Sequence, residues 1–403
     1  MNLTPQRIEV PQGFLFAAGE AGLRTHGSGP DVALAYSTVP ARVAALFTTN
    51  RVKAAPVLVS QDHLKRSRRL AQAIVVNAGN ANCATGPAGM RAARQCAQAA
   101  AKLLSLRREQ VLVASTGVIG LPLDARRINA QLPALARRLH PEGYEAMSRA
   151  ILTTDTRPKV AGQSLMLNGR RVRILGMAKG AGMIYPRLAT MLAFLFTDAA
   201  VEPRFLAMAA ERMCEASFNR ISVDGDTSTN DTVFLMANGM AGNPPIGKRG
   251  AEGEKFTRAL VEVARTLAIE LVRDGEGARK LAEIRVEGAV SEEQADAVAR
   301  SIGLSSLVKA ALAGADPNWG RILSAVGNAG VEFAASRVNI YLNRTLVCRR
   351  GGAADFDEPA LQRELQDKEV LIRVVLGQGK AKARFWTCDF TEEYVRINAS
   401  YRT

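Results

Sequence analysis

One threonine in this sequence stands where its side chain could act as a nucleophile. A glycine-rich, proline-containing segment, KGAGMIYPRLAT, runs from Lys179 to Thr190 and leads into an apolar stretch typical of a strand. A threonine hydroxyl is a weak nucleophile by itself, but cleavage of the bond before Thr190 would free an α-amine with an ordinary pKa of about 7.7–8.0. That amine could then act as the base for the hydroxyl of the same residue. Taken alone, the spacing is more typical of a plain turn into a buried strand.

Other groups of catalytic type are scarce. The sequence has three histidines, and none has a second histidine or a carboxylate at the spacing of a metal site. The five cysteines are odd in number and lack C-x-x-C spacing, so a disulfide framework and a zinc site are both disfavoured. We therefore predict no metal and no bound cofactor, in a protein of the reducing cytoplasm.

Two further patterns resemble ligand sites but fail in detail. The segment Gly242–Arg249 fits G-x-x-x-x-G-K, yet Arg249 replaces the residue that would hold magnesium and two prolines remove backbone donors. It is interpreted as a surface turn. Asp224, Asp226 and Asp231 lie in VDGDTSTND, whose spacing does not match a calcium loop. This stretch is interpreted as a polar, turn-rich loop that could border an active site.

The chain is strongly basic. Its 53 Lys and Arg residues against 38 Asp and Glu residues give a net charge of +15. Nucleic-acid binding is therefore the alternative of a different class, although aromatic residues make up only 5% and are not interleaved with the basic clusters. A solvated arginine-rich surface, or a field that attracts small anionic substrates, fits these clusters better. The sequence contains no uncharged apolar run of about 18 residues, so no membrane span is expected.

Alternating strand and helix patterns must position these residues. Short apolar runs bounded by turn residues predict strands, and amphipathic or alanine-rich stretches predict helices. Asn168-Gly169 predicts a hairpin, and Gly377-Gln378-Gly379 is predicted to join a further strand pair. The predicted strands are 73–77, 111–114, 165–167, 172–177, 192–196, 232–237, two within 338–348, 370–376 and 383–388; the predicted helices are 88–104, 124–139, 203–218 and 256–272. The pattern predicts an α/β or α+β class with layered mixed β-sheets sandwiched by helices.

Eight ordered motifs give the sequence a family resemblance over essentially its whole length. The chain resembles the ornithine acetyltransferases, the glutamate N-acetyltransferases of the arginine pathway that recycles acetyl groups. The motifs are LFTTNRVKAAPV (46–57), VVNAGNANCATG (75–86), VLVASTGVIG (111–120), TTDTRPK (153–159), KGAGMIYPRLATMLAF (179–194), DGEGA (274–278), DPNWGRI (316–322) and the terminal EYVRINASYRT. Together and in this order they are far more specific than any one of them.

The resemblance implies a precursor that cuts itself. In similar proteins the bond before the threonine of ATML breaks, which here is the bond between Ala189 and Thr190. The implied architecture is the self-cleaving, N-terminal-nucleophile-like fold of ornithine acetyltransferases and related aminopeptidases, with an α chain of residues 1–189 and a β chain of residues 190–403. Two copies of each chain are implied in the assembly. The turn departs from the more usual family pattern at three positions before the cut, Tyr185, Arg187 and Leu188.

The resemblance also implies a role for each site residue. Thr190 would be the nucleophile, and Thr116 and Gly117 would form the oxyanion site. Lys179 would hold a substrate carboxylate, and Glu276 a substrate amine. The implied substrate-binding residues are Thr153, Lys179, Thr190, Glu276, Asn398 and Thr403. Because the last two lie at the C-terminus, the tail is expected to fold back into the site.

The implied reaction is acetyl transfer from N2-acetylornithine to glutamate through an acetyl-Thr190 ester, in two half-reactions. Acetyl-CoA is implied as a second acetyl donor in the bifunctional form of the family, whereas the monofunctional form only recycles acetyl groups. A related self-processing aminopeptidase would use the same nucleophile on short peptides. The favoured interpretation is the bifunctional acetyltransferase, with no nucleic-acid or membrane partner.

Overall fold

Strands and helices alternate along the chain and build two mixed β-sheets. The structure, a computed structural model, describes residues 8–24, 28–185, 191–248 and 250–400. The strands are β1 (Phe14–Gly19), β2 (Val32–Phe47), β3 (Leu70–Asn77), β4 (Val111–Ser115), β5 (Lys159–Leu167), β6 (Arg170–Lys179), β7 (Leu192–Thr197), β8 (Ile221–Ser222), β9 (Thr232–Ala237), β10 (Leu281–Ala289), β11 (Asn339–Leu342), β12 (Thr345–Arg349), β13 (Gly352–Ala353), β14 (Glu369–Val375) and β15 (Ala381–Cys388). The helices are α1 (Ala55–Arg66), α2 (Gly86–Leu103), α3 (Ala125–Arg137), α4 (Tyr144–Ala150), α5 (Pro203–Ala216), α6 (Ala251–Arg273), α7 (Glu292–Leu304), α8 (Ser306–Ala313), α9 (Trp319–Gly327), α10 (Glu358–Glu364) and α11 (Glu392–Ser400). The predicted α/β class with layered mixed sheets is confirmed.

The first sheet carries most of the strands that lead to the candidate site. Within the described residues it has eight strands in the order β4-β3-β2-β9-β7-β6-β5, with β1 paired to β2. β3 and β4 run parallel, as do β7 and β9, while the other neighbours are antiparallel. β7 and β9, which follow Thr190 in the chain, therefore lie between β2 and β6, which precede it.

Continuous apolar sequence places β7 and β9 at the centre of this sheet. All six residues of each strand are buried, as expected for strands that are covered on both faces. On one face, Phe194, Phe196 and Phe234 pack with Phe14 and Phe16 of β1. On the other face, alternate residues of both strands pack against α5 and α6. The strand that begins just after Thr190 is thus fixed by packing from both sides.

Alanine spacing lets α2 pack closely against the other end of the first sheet. Ala93, Ala97 and Ala100 lie on one face of this helix and are buried against β3 and β4. Small side chains three and four positions apart allow the helix to approach the strands closely. The packing fixes the ends of β3 and β4, where the turns after Asn77 and Ser115 begin.

The second sheet is built mainly from the C-terminal half of the chain. Within the described residues it has seven strands in the order β13-β12-β11-β14-β10-β15-β8. Alternating residues of β10 and β14 face α7, α8 and α9 and form a separate apolar core. β15 also carries Trp386 and Cys388 into the core between the first sheet and α6. This strand therefore links the two sheets close to the loop that contains Glu276.

One predicted strand pair in the second sheet is wrong. We expected β14 to pair with β15 through Gly377-Gln378-Gly379, but β10 lies between them, parallel to β14 and antiparallel to β15. The glycine segment bonds to β10 instead, because the N–H groups of Gln378 and Gly379 donate to the Gly288 carbonyl at 2.8 and 2.9 Å. The connection crosses the end of β10 rather than closing a tight hairpin.

The hairpin predicted from Asn168-Gly169 is confirmed, and the two strands predicted within 338–348 also pair as a hairpin. β5 and β6 pair around Asn168 and Gly169, whose φ angles are 48° and 72°. β11 and β12 pair around Asn343, whose φ angle is 52°. These left-handed conformations match the right-handed twist of the flanking strands, which is why such short turns are readable in the sequence.

Three other features bear on the sequence predictions. All five cysteines are free and buried. Residues 242–248 form no helix or strand ahead of α6, as expected for a turn, but Asn243 and Ile246 are buried and Ile246 makes an isolated bridge to Val201. Arg249 lies outside the described residues. No helix in the described part of the chain is long and apolar enough to cross a membrane.

Candidate active site

A polar pocket of about 230 Å³ lies where loops after β4, β6 and β8 meet the C-terminal helix α11. Six of the nine predicted site residues line it, and they come from five separate stretches of the chain. They are Thr116, Gly117, Thr153, Lys179, Glu276 and Asn398. The other three predicted residues, Ala189, Thr190 and Thr403, lie outside the described residues.

Lys179, the last residue of β6, supplies a buried amine to this pocket. Only 3% of the residue is exposed, and its Nζ donates to Thr153 Oγ1 at 2.7 Å and to Thr116 Oγ1 at 3.2 Å. Burial lowers the pKa of Lys179 below its ordinary value, whereas the neighbouring Asp155 carboxylate raises it again. An ammonium group can only donate, so both threonine oxygens accept from it and keep their own protons for other partners.

The turn after β4 brings the hydroxyl group of Thr116 and the backbone of Gly117, which has no side chain, to the pocket. The Thr116 N–H donates to the Asn77 carbonyl at 3.0 Å, so the hydroxyl is the group that Thr116 can offer a ligand. Gly117 has a φ angle of 129° and lies against the chain at Gly79 and Asn80. A Cβ at this position would lie 2.3 Å from the Gly79 carbonyl carbon and 2.5 Å from the Asn80 nitrogen. Only glycine fits here, because both obstructing atoms belong to the backbone.

Replacing Gly117 with alanine is therefore expected to distort this turn. We expect a loss of about 1–3 kcal/mol in stability beyond that of a matched glycine substitution, together with a loss of activity. The matched control is Gly120→Ala, since Gly120 also has a positive φ angle, 83°, but has no atom within 4 Å of the added Cβ. The two variants are compared by their apparent melting temperatures, measured at the same scan rate. Equal decreases for the two variants would contradict the steric argument.

Carboxylates from two loops form an acidic group in the same pocket. Asn398 Nδ2 donates to Glu276 Oε2 at 2.8 Å, and the Tyr394 hydroxyl donates to Asp224 Oδ2 at 3.3 Å. Both donors belong to α11, so the C-terminal helix holds both carboxylates at once. Gly182 packs so closely on Glu276 that an added Cβ would lie 2.4 Å from Oε2.

Asp224 is both anchored and electrostatically perturbed. Its carboxylate accepts from the backbone N–H groups of Met183 and Ile184, at 2.5 and 2.9 Å. Burial raises the pKa of Asp224 to about 6, and the negative charges of Asp226 and Glu276 act in the same direction. Above that pH the pocket holds an ionised Asp224 carboxylate as well as the amine of Lys179.

The chain just after Thr190 is bonded to the loop that lines the pocket. The Met191 N–H donates to Asp231 Oδ1 at 2.8 Å, and Leu192 pairs with Lys179 across β6 and β7. In the same loop, Asn230 Nδ2 donates to the Ala81 and Ser115 carbonyls at 2.6 and 2.8 Å. The start of β7 therefore adjoins both Lys179 and the end of β4.

Sequence reasoning missed several residues of this site. Lys159 and Asp274 are buried behind Lys179 and Glu276, and Tyr394 reaches Asp224 from the tail. The signal was present for all three, since they lie in the motifs TTDTRPK, DGEGA and EYVRINASYRT that carry the family resemblance. Among the described residues, no group of three or more His, Cys, Asp or Glu side chains could hold a metal ion.

The fold is mixed α/β, and one pocket brings together the amine of Lys179 and the carboxyl groups of Asp224 and Glu276. The ArgJ family pattern matches residues 15–403. The arginine biosynthesis bifunctional protein ArgJ of Symbiobacterium thermophilum is 47% identical over 397 residues, which are 98% of each chain. The ArgJ structure from Bacillus halodurans is 40% identical, covers 51% of this chain and 96% of its own, and has a TM-score of 0.49. Ornithine acetyltransferase from Mycobacterium tuberculosis, solved with ornithine, is 34% identical, covers 44% of this chain and 94% of its own, and has a TM-score of 0.38.

The chain belongs to the ArgJ family, because the family pattern and the Symbiobacterium relative both extend over nearly its whole length. The predicted family is thereby confirmed. So is the broader prediction of an acetyltransferase of arginine biosynthesis. The roles predicted for individual residues, and the cut before Thr190, stay predictions.

Proposed function

We propose that the enzyme transfers the acetyl group of N2-acetylornithine to glutamate, which yields ornithine and N-acetylglutamate. The observation that carries this proposal is the pairing of charges in one pocket, with the Lys179 amine and the Asp224 and Glu276 carboxylates together. A small amino acid presents a carboxylate and an ammonium group, so it needs partners of both signs. The two hydroxyls that accept from Lys179 supply the polar surface around the amide to be broken.

The nucleophile in this proposal is Thr190, freed by cleavage of the bond to Ala189. The new α-amine removes the hydroxyl proton as Oγ1 attacks the acetyl carbonyl, and the same proton passes to the leaving ornithine nitrogen. An acetyl-Thr190 ester remains. The glutamate amine then attacks this ester, and Thr190 recovers its proton as N-acetylglutamate leaves. One residue thus serves as nucleophile and base, which suits a pocket without a histidine among its described lining residues.

Each half-reaction passes through a negatively charged tetrahedral intermediate. The Thr116 hydroxyl is the natural donor to that oxygen, because its oxygen already accepts from Lys179 and its proton is left to donate. Gly117 is proposed as the second donor through its backbone N–H. The absence of a side chain at Gly117 lets a substrate approach the turn closely.

Substrate ends are assigned by charge. Lys179, with Thr153 beside it, is proposed to hold the α-carboxylate shared by ornithine and glutamate. Glu276, steadied by Asn398, is proposed to hold the side-chain ammonium group of acetylornithine, with Asp224 adding to the field around it. Thr403, beyond the described residues, is proposed to complete the binding set.

Four finer features belong to the same proposal. The enzyme uses acetyl-CoA as a second acetyl donor and needs no resident metal or cofactor. Two α chains, residues 1–189, and two β chains, residues 190–403, form the assembly. It works in the cytoplasm. These features rest on the family resemblance of the motifs rather than on the pocket geometry.

The half-reactions can be measured separately. Incubation with acetylornithine that carries a radiolabelled acetyl group is expected to release ornithine and leave the label as an ester on the protein. Added glutamate should then release labelled N-acetylglutamate, and labelled acetyl-CoA should load the same ester. Hydrolysis of peptide amides without transfer from acetylornithine would favour an aminopeptidase instead. Salt-dependent nucleic-acid binding without any acyl transfer would overturn the proposal.

Asp224 gives the donor half-reaction its own pH dependence. Because the pKa of Asp224 is raised to about 6, the carboxylate loses its charge as the pH falls through that value. We expect kcat/KM for acetylornithine to fall over this range and, in Asp224→Asn, to be about 10- to 100-fold lower at pH 8. Glutamate ends in a carboxylate, so its half-reaction should show no such loss. Asp226→Asn, which removes a more exposed charge of the same loop, is the control: kcat/KM at pH 8 should be unchanged, and its acid limb should move to lower pH because the Asp226 charge raises the pKa of Asp224. Equal losses for acetylornithine and glutamate in Asp224→Asn would contradict this assignment.

A further inference from the structure

A buried ion network lies behind the pocket. The Lys159 amine is 2.5 Å from Asp155 Oδ1 and 2.5 Å from Asp274 Oδ2, and it also donates to the Gly180 carbonyl at 3.4 Å. The side chains of Lys159 and Asp155 are 0% exposed and that of Asp274 is 5% exposed. We call Asp155, Lys159 and Asp274 the buried ion network. Charges so deeply buried are costly to desolvate and persist only where partners satisfy them.

On one side, the network reaches two residues that are proposed to bind substrate. Asp155 Oδ2 accepts from the Thr153 N–H at 3.1 Å, and Asp155 Oδ1 accepts from the Gly180 N–H at 2.7 Å. Asp155 Oδ2 is also 3.9 Å from Lys179 Nζ. A single carboxylate therefore fixes the backbone beside Thr153 and beside Lys179, and it faces the Lys179 amine.

On the other side, the network reaches the loop that carries Glu276. Asp274 accepts from the Thr156 N–H at 3.0 Å and from the Thr156 hydroxyl. Two residues further on, the Glu276 N–H donates to the Ala181 carbonyl at 2.8 Å. Lys159 thus ties the segment before β5 to the loop before β10, and so sets Glu276 and Lys179 relative to each other.

The charge of Lys179 depends on this environment. Burial lowers the pKa of Lys179, and the positive charge of Lys159 lowers it further, while Asp155, Glu276 and Asp231 raise it. Burial alone would raise the pKa of Asp155, but Lys179 and Lys159 overcome that effect and hold it at about 2. Asp155 is therefore ionised at every working pH. Among the three carboxylates that raise the pKa of Lys179 against the effect of burial, Asp155 has the largest influence.

We propose that Asp155, Lys159 and Asp274 are positioning residues: Asp155 keeps Lys179 as a charged ammonium against Thr116 and Thr153, and Lys159 with Asp274 holds the Glu276 loop in place. Asp155 favours the ammonium form, and Lys159 opposes it while joining the two carboxylates. The proposal rests on the proposed function in one respect, namely that the Lys179 ammonium holds the substrate carboxylate.

The arrangement is tested by two variants that should shift the titration midpoint of Lys179 in opposite directions. In protein with carbon-13 at the lysine Cε, the Lys179 resonance is identified by its loss in Lys179→Met, and its midpoint is followed with pH. Loss of the Asp155 charge in Asp155→Asn removes an attraction, so the midpoint is expected to fall by at least about one pH unit. Loss of the Lys159 charge in Lys159→Gln removes a repulsion, so the midpoint is expected to rise. The alkaline limb of kcat/KM for glutamate should move with each midpoint.

Matched variants distinguish an effect on the charge of Lys179 from an effect on folding. The double variant Lys159→Gln/Asp274→Asn removes one charge of each sign, so it should fold even if Lys159→Gln alone does not. Its Lys179 titration midpoint should rise as far as that expected for Lys159→Gln. Arg157→Gln breaks a half-exposed ion pair with Glu270, 2.7 Å long, in the same segment and should leave the midpoint unchanged. Variants that melt earlier but titrate Lys179 at the unaltered midpoint would overturn the proposal. Midpoints that move as expected in a protein without acetyl transfer would instead overturn the proposed function and leave the network assignment standing.

Discussion

Thr190→Ala is expected to remain a single uncut chain of 403 residues, with acetyl transfer reduced by at least about 10⁴-fold. The unaltered protein should instead give two fragments, the second beginning Thr-Met-Leu-Ala, the sequence that starts at Thr190. The physical reason is that the variant lacks both the attacking hydroxyl and the amine that cleavage would free. Intact mass under denaturing conditions, N-terminal sequencing and the labelled-acetyl assay measure the three expectations together.

Thr190→Ser is the matched control for this experiment. Serine keeps a hydroxyl, so slow cleavage and measurable transfer are expected to persist. Two fragments from Thr190→Ala would mean that another group cuts the chain. An uncut unaltered protein with full activity would show that Thr190 works without a free amine, and the base would then have to be sought among the other pocket residues.

Thr116→Val is expected to lower kcat by about 10²–10³-fold with little change in KM. The Thr116 N–H is already bonded to the Asn77 carbonyl, so the hydroxyl is what this residue offers a developing negative charge. Valine has nearly the same shape but no donor. Because self-cleavage also passes through a tetrahedral intermediate, freshly made protein should be cut more slowly as well. Steady-state kinetics of both half-reactions and the time course of cleavage measure these effects.

Two variants show whether the Thr116 effect is specific. Thr116→Ser keeps the hydroxyl and should retain most of kcat. Thr153→Val removes the other hydroxyl that accepts from Lys179, at 2.7 Å, so it should raise KM rather than lower kcat. A large kcat loss in Thr153→Val with none in Thr116→Val would reverse the two assignments.

Local features of the fold were predictable from the sequence, and distant pairings were not. Asn168-Gly169 specifies its hairpin through two left-handed residues, so nothing beyond the turn is needed. The partner of β14 depends instead on β10, which is far away in the chain. Its alternating apolar residues do not reveal which strand lies beside them. The glycines after β14 are typical of a tight turn, but the sequence around them does not indicate that β10 lies between β14 and β15.

The same division holds for the site. The family resemblance of the motifs predicts Lys179, Thr116 and Glu276 as residues of one site, and all three line the pocket. Lys159 in the same type of motif would ordinarily be taken for a solvated lysine, since burial of its charge requires two carboxylates brought from either side. That requirement is met only in the folded chain. Asp224 was assigned to a polar loop, and its raised pKa comes from burial that the sequence does not show.

The interleaving of β7 and β9 between β2 and β6 bears on how long the mature enzyme lasts. While the chain is intact, residues 180–191 join β6 to β7, and folding is an event within one molecule. After a cut before Thr190, an unfolded enzyme would consist of two separate chains that must find each other before the first sheet can re-form. The lifetime of the mature enzyme would then be set by the barrier to unfolding rather than by an equilibrium between folded and unfolded forms. After heating and cooling, the slowly cut Thr190→Ser precursor should refold and become active once it is cut. The mature enzyme should not recover its activity. The two halves made from separate genes should not replace the single chain.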